Sequence, residues 1–156
     1  METPDQFMQT ATKLAGSILR SLGFQCNITP SWDGEEVTLM IESPDSGIII
    51  GDNGSRLDDL QYLINRLIVI QAENSPRVRV DCDHYRERAE AKIVHTARQK
   101  AERVLASGKP ITIGPMNAYH RRLVHSALAD TPGIKTESEE VEARFKRITI
   151  SRTTEA

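Results

Sequence analysis

The stretch Ile48-Ile49-Ile50-Gly51-Asp52-Asn53-Gly54-Ser55-Arg56-Leu57-Asp58-Asp59-Leu60-Gln61-Tyr62-Leu63 sets a glycine at each end of a short loop, after an isoleucine run and before a helical repeat. Glycines there let the backbone bend tightly and let a phosphodiester approach without meeting a Cβ. Ser55 is placed to cap a helix, which Leu57, Leu60, Leu63, Ile64, Leu67 and Ile68 carry on one face until Asn74-Ser75-Pro76 ends it. The N–H groups that open such a helix face outward, toward anionic oxygens. A Gly-x-x-Gly pattern alone is usually a plain turn, so its neighbours decide its meaning.

Upstream, Phe7, Ala11, Leu14, Ala15, Ile18 and Leu22 predict an amphipathic helix over 3–22, stopped by Gly23. Strands are predicted at Phe24–Pro30 and Glu36–Glu42, around a turn of Ser31-Trp32-Asp33-Gly34. Val37, Leu39 and Ile41 alternate with polar positions and mark the core face of the second strand. Residues 43–47 turn the chain, and Arg77–Asp81 reads as a buried strand through Val78 and Val80. The order is helix, strand, strand, short helix, loop, helix, strand. It resembles the bacterial-type (type II) KH arrangement, and residues 48–63 resemble the KH signature. That resemblance implies a module over 1–82 with a three-stranded sheet and helices. It also implies that Gly51, Asp52, Asn53, Gly54 and Arg56 hold the backbone of a single strand. Ile49, Ile50 and Leu57 would line a base groove or the core beneath it, and the core is the stronger reading. Asp52 departs from the usual basic or neutral loop residue, and its carboxylate repels phosphate.

Downstream, a helix is predicted over about 84–106, with Ala89, Ile93, Ala97, Ala101 and Val104 on one face. Arg88, Lys92 and Arg103, nearly opposite, read as an exposed helix face. Ser107-Gly108-Lys109-Pro110 ends the helix, and Ile111–Ile113 reads as a short strand broken by Gly114-Pro115. Asn117 caps a helix to about Ala129, followed by Thr131-Pro132-Gly133 and strands at Ile134–Glu139 and Arg144–Arg152. In that helix Arg121 and His125 stand four apart and share a stripe with Arg122. Tyr119, Leu123, Val124, Ala127 and Leu128 form the opposite, apolar arc, so the basic stripe is expected in solvent. Guanidinium and imidazolium both donate hydrogen bonds and neither accepts, which suits phosphate.

An Arg-x-x-x-His spacing is common by chance. Here Gly114-Pro115-Met116-Asn117-Ala118-Tyr119 precedes it and a turn and hairpin follow, which resembles the single-stranded nucleic-acid-binding R-three-H domain. The resemblance covers about 84–152 and implies a domain over 83–153, two helices on a small β-sheet. Asn117, Arg121 and His125 match its motif, and Arg122 matches its second basic position. KH followed by R-three-H is similar to the Jag family of bacterial proteins. The implied fold is α+β in two small modules. The implied function is an RNA-binding regulator tied to cell elongation, division or sporulation. Its implied partners are single-stranded RNA, or single-stranded DNA, and a small KH-domain protein. The alternative is an interaction adaptor whose KH module pairs with that partner, nucleic acid being secondary.

The whole-chain net charge of -2 argues against a polyanion ligand only as an average. Residues 1–83 carry 6 basic and 13 acidic side chains, whereas residues 84–125 carry 9 and 3. A polyanion should therefore meet the second segment. Aromatic residues are only 4%, so backbone contact should outweigh base stacking. Cys26 and Cys82 lack ligand spacing, which leaves two reduced, half-buried thiols, no metal site and no cofactor. No carboxylate pair, Gly-Lys-Ser/Thr loop or nucleophile elbow accompanies His125, so no catalytic residues and no enzyme are expected. The N-terminal residues lack a basic and apolar leader, and no run suits membrane insertion; the expected location is the cytoplasm.

Overall fold

A computed structural model describes residues 3–153; Met1 and Glu2 of the expected first module lie outside the described residues. The chain divides into two compact units after Arg86. The first contains α1 (Pro4–Ser21), β1 (Asn27–Trp32), β2 (Glu36–Glu42), α2 (Ser46–Ile50), a single 3₁₀ turn (Asp52–Gly54), α3 (Ser55–Gln71) and β3 (Arg77–Cys82). This is the order that the KH resemblance implies. Thr3 and Gln6 close the start of α1 in a reciprocal capping box.

Strands β1 and β2 pair antiparallel, β2 and β3 parallel, in the order β1-β2-β3. The helices supply Phe7, Ala11, Ala15 and Leu19 from α1 and Leu57, Ile64 and Ile68 from α3 to one core with Val37, Leu39, Ile41, Val78 and Val80. Strand β3 lies at the sheet edge, where main-chain groups need other partners. Asn65 Nδ2 donates to the Val78 carbonyl at 2.6 Å, Asn65 Oδ1 accepts from the Val78 N–H at 2.9 Å, and Gln61 Oε1 accepts from the Val80 N–H at 2.9 Å. Two amides of α3 thus finish the sheet.

Helix α4 (Tyr85–Ser107) leads to β4 (Ile111–Met116), α5 (Ala118–Leu128), β5 (Ile134–Ser138) and β6 (Lys146–Arg152). The sheet order is β4-β6-β5, all antiparallel. Ala97, Ala101 and Val104 of α4 and Val124 and Leu128 of α5 pack with Ile134, Ile148 and Ile150. Five α-helices and two three-stranded sheets among the described residues make the fold α+β.

Several expectations are corrected. Strand β1 runs to Trp32 rather than ending at Pro30, because residues 27–32 all pair with β2. The turn starts instead at Asp33, whose carboxylate accepts from the N–H groups of Glu36 and Glu35, both at 2.9 Å, and is held below the ordinary carboxylate range by them. Ser55 does not cap α3; it is the first helical residue, and Gly54 occupies the cap position in a left-handed conformation. Leu63 and Leu67 leave the core and are exposed. Gly114-Pro115 does not end β4, since a register shift between Ile113 and Met116 carries the strand past it to Lys146. The last strands are shorter than expected, ending at Ser138 and starting at Lys146.

Cys26 is half-buried but Cys82 is fully buried on β3. Burial, reinforced by the charges of Asp83 and Asp81, pushes the Cys82 thiol up to about 12. A raised thiol value means this contribution to stability is present below the ordinary thiol range and is lost as pH climbs toward 12. The expected result is that iodoacetamide at pH 8 leaves Cys82 unmodified in native protein and alkylates it in urea, read by mass spectrometry. Equal labelling in both conditions would contradict this burial.

Candidate nucleic-acid interface

The Gly-x-x-Gly loop is built on three unusual backbone positions. Gly51 (φ 70°) closes α2, Asn53 (φ 51°) is left-handed, and Gly54 (φ 78°) opens α3. Asp52 and Asn53 are exposed at the tip, and Gly54 is buried beneath. A Cβ on Gly54 would stand 2.8 Å from Cε1 of Tyr85, and one on Gly51 would stand 2.6 Å from Cγ of Arg56. Both glycines are therefore required by close approach as well as by dihedral angle. Arg56 is exposed and turned back on its own module, donating from Nη1 to the Ile48 carbonyl at 2.9 Å. Ile49, Ile50 and Leu57 lie in the core, not in an open groove.

Tyr85 is the residue of this loop that sequence reasoning missed. It lies far along the chain, and only the fold sets its ring against Gly54. Next to it, Arg86 donates from Nε to the Val80 carbonyl at 2.8 Å and from Nη1 to Asp58 at 2.7 Å.

In the second unit Asn117 caps α5 as expected, its Oδ1 accepting from the His120 N–H at 2.8 Å. The cap fixes where α5 begins, and so fixes the stripe of Arg121, Arg122 and His125. The expectation of a fully solvated stripe is corrected: Arg122 is exposed, but Arg121 and His125 are half-buried. The cause is hydrogen bonding to neighbouring strands. Arg121 Nη1 donates to the Met116 carbonyl at 2.8 Å. His125 Nδ1 bonds Thr136 Oγ1, and its Nε2 lies 3.3 Å from Ser138 Oγ. The opposite arc is narrower than expected, because Tyr119 is exposed while Val124 and Leu128 are buried. Among the described residues no carboxylate pairs with Arg121 or Arg122, which leaves two cationic groups for an outside anion.

Thr136 and Ser138 were also missed as neighbours of His125. Their alternation with Ile134 was a usable signal, since it puts all three on the sheet face that α5 covers. The two constellations belong to separate units. No group of metal-ligating side chains occurs among the described residues, and no helix there is long and apolar enough to cross a membrane.

The R-three-H domain family model matches residues 91–152, which include Asn117, Arg121, Arg122 and His125. Three similar relatives bear the name RNA-binding protein KhpB. The protein of Clostridium symbiosum is 32% identical over 117 residues, covering 75% of this chain and 52% of that protein. That of Lactiplantibacillus plantarum is 28% identical over 123 residues, 79% of this chain and 38% of the relative. That of Streptococcus pneumoniae serotype 2 is 25% identical over 143 residues, 89% of this chain and 43% of the relative. The matches thus take in about half or less of each relative's length. Over residues 91–152 the chain thus matches the R-three-H domain, and over three quarters or more of its length it is similar to these RNA-binding relatives, as the Jag-family resemblance implies.

Proposed function

We propose that this chain binds single-stranded RNA as a post-transcriptional regulator, gripping the backbone through Arg121, Arg122 and His125. The observation that carries the reading is the α5 stripe, two guanidinium groups without a carboxylate partner beside a strand-held imidazole. The relatives' shared name supports RNA over other polyanions. On this reading the regulated process is cell elongation, division or sporulation, the protein works in the cytoplasm, and its role is binding rather than catalysis. Filter binding of a single-stranded RNA across a salt series tests it. Affinity should fall steeply, with a logarithmic slope of about -0.7 for each phosphate neutralised. A slope near zero, or no binding, would overturn the reading.

The first unit acts on this proposal as a KH module, with the Gly51–Gly54 loop meeting the same class of strand. Asp52 is exposed at its tip and opposes phosphate. Asp52→Lys is expected to raise RNA affinity by roughly tenfold at low salt and to steepen the salt slope by up to about 0.7. Unchanged binding would remove the loop from the RNA site while leaving α5 in it.

A second reading is favoured by α3. Its outer face exposes Leu63, Leu67, Val69, Tyr62 and Ile70, the last two at 68% and 66%. Exposed apolar side chains grouped on one helix face, here around the exposed Arg66, mark a protein interface. We propose that this face receives a small KH-domain partner, the adaptor role, and that Ile70→Lys abolishes co-purification of that partner without changing RNA binding. Retained co-purification would exclude the face.

A further inference from the structure

We propose that the hydroxyls of Thr136 and Ser138 on β5 are RNA-phosphate ligands, extending the site from α5 onto the sheet. The inference rests on the α5 reading above. His125 spans the gap between the two elements, one ring nitrogen bonded to each hydroxyl. A neutral imidazole has one donor and one acceptor nitrogen, so one of the two hydroxyls must accept from the ring and keep its own proton for another acceptor. A protonated imidazole donates from both nitrogens, and then both hydroxyl protons are left to point elsewhere. In every protonation state at least one O–H is therefore available beside His125.

An anion is the acceptor this position favours. Arg121 precedes His125 by one helical turn and Arg122 by three residues, so the two guanidinium groups share the stripe on which the ring stands. The carboxylates flanking Ser138 are engaged within the unit: Glu137 Oε1 lies 3.5 Å from Lys135 Nζ, and Glu139 Oε2 accepts from the Arg147 N–H at 3.0 Å. Thr136 and Ser138 are half-buried, which holds their hydroxyls in place and leaves them reachable. Arginines attract and bracket the phosphate, and the hydroxyls fix its position.

The test uses the full chain and a single-stranded RNA oligonucleotide, with Thr136→Val and Ser138→Ala, which remove the hydroxyls with little change of shape. The double variant should bind about tenfold or more weaker, with an unchanged salt slope because no charge is lost. Thr136→Ser should restore most of the loss attributable to Thr136. The loss should persist when His125 is already alanine. Wild-type affinity in the double variant would overturn the proposal, and so would a loss that vanishes in the His125→Ala background, since the hydroxyls would then only hold the ring. If Arg122→Ala also leaves binding and slope unchanged, the α5 reading itself fails; if it weakens binding while the hydroxyl variants do not, only this inference fails.

Discussion

Arg121→Ala combined with Arg122→Ala is expected to weaken single-stranded RNA binding by about 100-fold or more and to flatten the salt slope by about 1.4, twice the single-strand slope of about 0.7 per phosphate. The reasoning is additive over two charge-assisted hydrogen bonds. A hydrogen bond to a charged group contributes about 1.5–3 kcal/mol, and each step of about 1.4 kcal/mol is a factor of ten. Each phosphate left without its cation also takes about 0.7 off the slope. The two positions differ in kind. Arg122 is exposed, so Arg122→Ala reads charge alone. Arg121 is half-buried and tied to the Met116 carbonyl, so its loss also frees the strand preceding α5. Arg121→Lys separates these effects: charge is kept, and the planar fork that can bond a carbonyl and a phosphate together is lost. Lysine should retain the salt slope and bind several-fold weaker. Filter binding at several salt concentrations measures both quantities, and a double variant with unaltered slope and affinity would remove α5 from the interface.

Asp81→Ala should be the most destabilising polar substitution in the first unit, by about 2–6 kcal/mol. Asp81 is only 4% exposed, yet its Oδ1 accepts from two backbone donors, Cys82 N–H at 2.8 Å and Arg86 N–H at 3.0 Å. Alanine leaves both donors without that acceptor where water does not easily replace it, at about 1–3 kcal/mol each. The Arg86 N–H lies in the first turn of α4, so the loss also loosens Arg86, which holds the Val80 carbonyl and Asp58. Asp81→Asn keeps an oxygen acceptor at the same place and should cost about 1 kcal/mol. Trp32, the single tryptophan, sits on β1 and reports selectively on this unit. A urea transition followed by its fluorescence should shift strongly for Ala and weakly for Asn. Equal shifts would mean that the acceptor is not what matters.

Both predictions depend on residues the chain displays unequally. The Arg121, Arg122 and His125 stripe could be placed from spacing alone, because an α-helix converts a separation of three or four residues into one face. Its exposure could not, because Arg121 and His125 are half-buried by partners on β4 and β5. The Gly51–Gly54 loop was equally legible as a bend, whereas the ring that packs on it comes from Tyr85, across a helix and a strand. Along the chain Asp81 is simply the end of a strand and the start of the turn into a helix. Its burial beneath two N–H donors follows from β3 and α4 meeting at that point.

The sequence by itself determined the α+β class, the order of elements, the glycine loop and the basic segment, since periodicity, turn chemistry and charge are local properties of neighbouring residues. Only the tertiary structure decided which apolar residues of α3 face outward, that β3 finishes its edge with Asn65 and Gln61, and that His125 answers to Thr136 and Ser138. Those facts depend on pairs distant in sequence, whose meeting is set by how helices cover a sheet rather than by any spacing along the chain.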